Sequence, residues 1–108
     1  VALAGDLSAQ TVYVGHLAKA GVLYDVRFCL GYFEENRVAS VNIILNGSTN
    51  IFSADVDLPQ ETFTQSGTLA VTSFAAGDRI DLEIVSVDAG GGEDPPSDLS
   101  IILYFKTA

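Results

Sequence analysis

The sequence predicts an all-β domain, an antiparallel β-sandwich of seven to eight strands with a jelly-roll-like arrangement. Apolar and polar residues alternate with a period of two along most of the chain, and turn residues recur about every 8–12 residues. No long stretch has the 3.6-residue periodicity of an amphipathic helix. A length of 108 residues fits one domain that spans residues 1–108.

The first half of the chain contains five predicted strands. VALAG forms a short edge strand, and QTVYVGHL and VLYDVRFCLG form the next two. SVNIILNG follows, with Val41, Ile43 and Leu45 on one face. It ends in Asn46-Gly47, a pair that readily adopts the positive φ angles of a tight hairpin turn. NIFSADVDLP then returns as the neighbouring strand.

The second half contains three more predicted strands. GTLAVTSF is the first, with Leu69, Val71 and Ser73 on one face, and an AAGD turn leads from it into RIDLEIVSVD. The acidic stretch DAGGGEDPPSD then connects to DLSIILYFK. The last two strands have their predicted inward faces at Ile80, Leu82, Ile84, Leu99, Ile101, Leu103 and Phe105.

The charge of the chain restricts its partners. Fourteen acidic and five basic residues give a net charge of −9. Such a surface repels phosphate backbones and anionic lipids, so we expect no nucleic-acid and no membrane partner. No apolar run approaches the roughly 20 residues of a membrane span. The single cysteine, Cys29, has no internal disulfide partner, and we interpret it as a buried, inert thiol in an apolar strand.

Several strands carry apolar residues on the face that alternation directs outward. A strand with one wet face is polar at those positions. We therefore expect another copy of the chain to cover them, most simply in a symmetric homotrimer. Single apolar residues exposed on a monomer are the alternative. The residues of this hypothetical interface are Ile44, Val85, Val87, Ile102 and Tyr104.

Candidate catalytic residues are few. His16 is the one histidine, and no nucleophile-elbow sequence accompanies it. Asp55 with Asp57, and Asp81 with Glu83, have a spacing that places two carboxylates about 7 Å apart on a strand. The same spacing is typical of a solvated strand face, and the chain has no Trp to mark a sugar cleft. We therefore expect no enzymatic activity and no cofactor.

The acidic stretch has two interpretations. One Cys and one His cannot build a four-ligand zinc site. Calcium prefers carboxylate and carbonyl oxygens, which Asp88, Glu93, Asp94 and Asp98 supply in this stretch. Our first interpretation is a solvated hairpin loop, because glycines permit positive φ and prolines prevent pairing. A calcium site is the second.

The stretch SFAAGDRIDLEIVSVDAGGGEDPPSDLSIILYF, Ser73 to Phe105, resembles small β-sandwich domains of bacteriophage structural modules. It has their FAAGD turn, alternating strand, Gly-rich loop and SDL segment before a last apolar strand. SVNIILNGSTNIF is similar to the central hairpin of that group. A looser likeness exists to trimeric jelly rolls of the complement and tumour-necrosis-factor type, which also carry a Gly-Asp pair before a penultimate strand.

The resemblance implies a non-enzymatic virion protein on the exterior of the particle. The expected roles are a capsid decoration (cement) protein or the globular head of a tail fibre or spike. Other virion proteins would then be its partners. The group has no shared binding motif that maps onto these residues.

A carbohydrate-binding module, with calcium bound at the acidic stretch as an aid, is the alternative function. Exposed aromatic rings stack on the C–H groups of sugars. Tyr32 and Phe33 in GYFEEN are the best-placed pair, and a host-surface glycan would be the ligand.

Overall fold

A computed structural model describes residues 2–32, 38–58, 63–65, 69, 71–87 and 96–107, with the backbone alone for 63–65. These ranges contain ten strands and no helix, so none of them holds a helix able to cross a membrane. The strands are β1 Ala2–Asp6, β2 Gln10–His16, β3 Gly21–Tyr32, β4 Ala39–Leu45, β5 Thr49–Asn50, β6 Val56–Leu58, β7 Phe63–Gln65, β8 Ser73–Phe74, β9 Arg79–Val87 and β10 Ser97–Thr107.

The strands form two antiparallel sheets. Sheet A has the order β1-β10-β3, and both β7 and β8 pair with β3. Sheet B has the order β2-β9-β4, and both β5 and β6 pair with β4. Strand pairs are nested, from β1 with β10 on the outside to β4 with β5 and β6 on the inside. This nesting is the winding of a jelly roll, and the predicted fold class is confirmed.

The core lies between the two sheets. Phe28 of sheet A is fully buried there, and its ring lies 6.2 Å from that of Phe52. At one end of the sandwich, Phe74 meets Phe105 edge to face at 5.4 Å, a favourable geometry for two aromatic rings. The sequence placed Ser73 on the same strand face as Leu69 and Val71. The structure exposes Ser73 and buries its neighbour Phe74.

The predicted return strand over residues 50–59 is interrupted at 51–55, which raises the strand count. Asn42, buried in β4, explains the interruption. Its Oδ1 accepts a hydrogen bond from the Phe52 N–H at 3.2 Å. Its Nδ2 donates to the Phe52 carbonyl at 3.4 Å and to Asp55 Oδ1 at 2.9 Å. A side chain thus bonds the backbone of a segment that has left the regular ladder.

Two predicted turns are confirmed and are joined to each other. Asn46 and Gly47 have φ of 52° and 77°, as a hairpin turn of the Asn-Gly kind requires. In the AAGD turn, the Asp78 carboxylate accepts hydrogen bonds from the Ala75 N–H at 2.8 Å and from Asn46 Nδ2 at 3.1 Å. Asn46 Oδ1 also accepts a bond from the Arg79 N–H at 2.9 Å. These bonds fix the β4–β5 turn against the β8–β9 turn.

Bulges change which face of a strand is buried. In β9, Ser86 pairs with Ser40 and Ile84 with Val41, so Val85 is the extra residue. In β3, a shift of the same kind makes Tyr24 the extra residue opposite β10. Since one inserted residue moves later side chains to the opposite face, simple alternation fails beyond each bulge.

Candidate interaction surface

The five residues predicted to form one interface lie on two different sheets. Ile102 and Tyr104 belong to β10 in sheet A, whereas Ile44, Val85 and Val87 belong to sheet B. The outer faces of a sandwich point in opposite directions. The five residues therefore do not make a single contact surface.

Two of the sheet B residues offer little surface to a partner. Ile44 is buried within the chain, with an exposed fraction of 9%. Val87 packs against the hydrophobic core, because the bulge at Val85 returns it to the inner face. The outward placement expected for Val87 is therefore corrected. Val85 itself is exposed, at 40%.

An apolar and aromatic surface remains on the outer face of sheet A. The exposed fractions of Val22, Tyr24 and Ile102 are 37%, 51% and 43%. Tyr104 is partly buried beside them, and its ring lies 6.0 Å from that of Tyr24 with a tilt of 47°. We call these four residues the sheet A patch. Their alternation with buried Leu23 and Ile101, and with Leu103 and Phe105, which pack against the core, places them on the outer face.

Charged groups border the sheet A patch. Arg27 Nε donates to Asp25 Oδ2 at 2.9 Å, and the Val26 N–H donates to the other oxygen of Asp25. Lys106 Nζ lies 5.1 Å from the centroid of the Tyr24 ring, a cation–π contact. Arg27 and Lys106 are two of the five basic residues of a chain whose net charge is −9. The patch is therefore more positive than the chain as a whole.

Sequence reasoning found Ile102 and Tyr104 but missed Val22 and Tyr24. The signal was present, because Val22 and Tyr24 flank a core leucine in VLYD. Recognising that both lie beside β10 requires the pairing of Lys106 with Val22 and of Tyr104 with Asp25. That long-range pairing is not visible in local alternation.

The residues predicted for ligand binding are only partly described. Tyr32 lies at the end of β3 and is 41% exposed, whereas Phe33 lies outside the described residues. Of the predicted calcium ligands, Asp88, Glu93 and Asp94 also lie outside them. Asp98 Oδ1 accepts a hydrogen bond from the Gly5 N–H at 2.8 Å. Within the described ranges, no three acidic, histidine or cysteine side chains form a group suited to a metal ion.

Three of the four carboxylates weighed as catalytic residues, Asp55, Asp57 and Asp81, have structural partners. Asp55 accepts from Asn42, and Asp57 accepts from Ser40 Oγ at 2.6 Å. Asp81 is buried and accepts from Arg79 Nε at 3.1 Å. These bonds connect neighbouring strands or residues of the same strand.

His16 belongs to a small surface cluster on sheet B. Its Nδ1 shares a hydrogen bond with the Tyr13 hydroxyl at 2.5 Å, and the Arg79 guanidinium lies 5.4 Å from the Tyr13 ring centroid. Tyr13 thus contacts both His16 and Arg79.

Cys29 is half-buried, whereas the sequence predicted a buried thiol, so that expectation is corrected. It lies on the outer side of β3, between the core residues Phe28 and Leu30.

No protein-family model, curated protein or solved structure matches this chain. The resemblance of Ser73 to Phe105 to bacteriophage domains stays a prediction.

Proposed function

We propose that this chain is a non-enzymatic structural protein of a virion, displayed on the exterior of the particle, and that it assembles as a homotrimer through the sheet A patch. The observation that carries the proposal is the apolar, aromatic surface that the chain leaves uncovered on sheet A. The jelly-roll winding supports it, since viral capsid proteins use this architecture. Because one fold serves many functions, the sheet A patch supports the proposed function more strongly than the fold does.

The composition of the sheet A patch is typical of the centre of an interface. Aromatic residues and Arg are enriched in interfaces. Here Arg27 and Lys106 pair across the strands with Ile102 and Val22, at the two ends of the patch. Full burial of one large apolar side chain stabilises by about 1.5–3 kcal/mol. In a cyclic trimer each copy turns the same face toward the three-fold axis, so each buries its own Tyr24 and Ile102.

Two roles fit such a trimer. A capsid decoration protein would cement neighbouring capsid subunits, and the globular head of a tail fibre or spike would face the host. Both act by adhesion over buried area and require no catalytic group. In both roles other virion proteins are the partners.

Light scattering on three proteins tests the assembly. We expect the wild type to have three times the mass of one chain and Ile102→Asp to be a monomer. Three carboxylates would meet at the axis, and the one basic neighbour across the strands, Arg27, is already bonded to Asp25. Val85→Asp is the matched control, since Val85 is similarly exposed on the opposite sheet. A monomeric wild type at micromolar concentration, or a trimer lost in Val85→Asp alone, would contradict the proposal.

The virion context needs a separate measurement. We expect mass spectrometry of purified particles from the encoding virus to detect the chain. We also expect an antibody against it to bind intact particles. A chain that is absent from the particles would contradict the virion role while leaving the assembly test intact.

A glycan-binding role is the second candidate, because Tyr24, Tyr104 and Tyr32 present ring surface at or near sheet A. If glycan-array binding is lost in Tyr32→Ala, the sugar site is the Tyr32-Phe33 pair predicted from the sequence. Binding lost in Tyr24→Ala would assign the sugar to the sheet A patch, which a trimer buries. That second result would argue against the trimer.

A further inference from the structure

We propose that a cleft at one end of the sandwich binds a small amphiphilic carboxylate, with the apolar tail inside the cleft and the carboxylate at Lys19 and Lys106. The cleft has a volume of about 310 Å³. Its walls are residues 17–21, which lead from β2 into β3, and residues 105–107 at the end of β10.

The walls of the cleft are held by backbone contacts. The Leu17 N–H donates to the Asp78 carbonyl at 2.9 Å, and the Leu17 carbonyl accepts from the Gly77 N–H at 2.7 Å. These bonds attach the start of the 17–21 segment to the AAGD turn. At its end, a Cβ added to Gly21 would lie 2.9 Å from the Lys106 carbonyl, so β3 and β10 approach closely there. The cleft is therefore preformed by the fold.

The lining of the cleft selects both parts of the ligand. Leu17, Ala18, Ala20 and Phe105 provide an apolar surface that favours a hydrocarbon tail. Lys19 and Lys106 also line the cleft. Lys106 Nζ contacts the Tyr24 ring and would turn from it to meet a ligand in the cleft. Of the described residues that line the cleft, none is acidic, although the chain as a whole has fourteen acidic residues. Two lysines gathered beside an apolar surface are complementary to an anion that carries an apolar tail.

The volume of the cleft sets the size of the ligand. Ligand pockets begin at about 300 Å³, and a water-sized group occupies roughly 30 Å³. About ten such groups fill the cleft, which matches a carboxylate of about eight carbons in total, such as octanoate. A whole helix or strand of a partner protein is too large for this volume, whereas a small molecule fits it.

Titration with octanoate, followed by amide chemical shifts, tests this site. We expect shifts at residues 17–21 and 105–107, and binding at least tenfold tighter for octanoate than for octanol or octylammonium, the size of one charge-assisted hydrogen bond. Lys19→Gln with Lys106→Gln removes this preference. Arg79→Gln, which removes a positive charge from another part of the surface, keeps it.

Several results would overturn the proposal. Equal binding of octanoate and octanol would show that the lysines do not select the ligand. Shifts confined to the sheet A patch, or absent at millimolar octanoate, would place the ligand elsewhere or nowhere. If the double variant fails to fold, Ala20→Leu serves instead, because it narrows the cleft from the connecting segment. Retained binding in a folded Ala20→Leu would count against the site.

Discussion

Asp98, at the start of β10, accepts a hydrogen bond from the Gly5 N–H of β1 at 2.8 Å. Both residues have positive φ, 57° for Asp98 and 86° for Gly5, next to a register shift between Leu3 and Asp6. On the other side, a Cβ added to Gly31 of β3 would lie 2.8 Å from the Asp98 Cβ. Asp98 therefore sets how closely β10 approaches its two neighbours, β1 and β3.

Gly31→Ala is expected to destabilise the protein. Real Cβ atoms do not approach the Cβ of another residue to 2.8 Å, so a strand must shift, at a cost of about 1–3 kcal/mol. The free energy of unfolding in urea measures the effect. Gly15→Ala is the control, because a Cβ there meets nothing within 4 Å. Equal stability of the two variants would contradict the packing argument.

Asn42→Ala is expected to lower the free energy of unfolding by about 1–3 kcal/mol, because it leaves buried polar groups of the backbone at Phe52 without this partner. Chemical denaturation provides the measurement. Asn50→Ala, at an exposed asparagine on the neighbouring β5, is the comparison and should change little. An Asn42→Ala variant as stable as Asn50→Ala would mean that the side chain does not hold the 51–55 segment.

Asp78 is expected to make stability depend on pH. The Ala75 N–H, and then the Asn46 side chain, lower the pKa of Asp78 below its ordinary value. A lowered pKa in the folded state stabilises at pH values above the unfolded pKa, near 3.9. That contribution is lost as the pH falls through the lower folded value. When thermal unfolding is measured between pH 6 and pH 2, the stability lost on acidification should therefore be smaller for Asp78→Asn than for wild type. Equal losses of stability in the two proteins would refute this.

Phe74→Ala is expected to destabilise by about 3–5 kcal/mol, the usual cost of removing a buried aromatic ring. Phe74 is 4% exposed and meets Phe105 edge to face. Ser73→Ala, one residue earlier and exposed, should be close to neutral. Comparing the two variants by urea denaturation tests which residue of β8 faces the core. A larger effect of Ser73→Ala than of Phe74→Ala would contradict the packing of Phe74 in the core.

Local patterns in the sequence predicted the regular parts of the fold. The Asn46-Gly47 turn was readable because few residue pairs adopt two positive φ angles at low cost. The inward faces of β9 through Ile84 and of β10 also follow from strict alternation. These features depend on neighbours in the sequence.

Features that depend on distant partners could not be predicted. Val87 was placed outward because nothing in RIDLEIVSVD marks a bulge at Val85, which exists only opposite Ser40 and Val41. Asn42 looks like a polar residue on a wet face, yet it is buried because a segment ten residues later bonds to it. The sheet A patch was half predicted for the same reason, since the local pattern of β10 does not show that β3 lies beside it.

The nested strand pairing also orders the folding reaction. Leu45 and Thr49 are separated by four positions, whereas Ala2 and Ser100, which pair at the outside, are 98 positions apart. Loop closure costs more entropy as the enclosed chain lengthens, so pairing spreads from the β4–β5 turn toward the two ends of the chain. Pulsed hydrogen exchange during refolding should protect β4 amides before those of β1. β1, which pairs last, is thus the strand whose removal, or exchange between two copies of the chain, disturbs the inner strand pairs least.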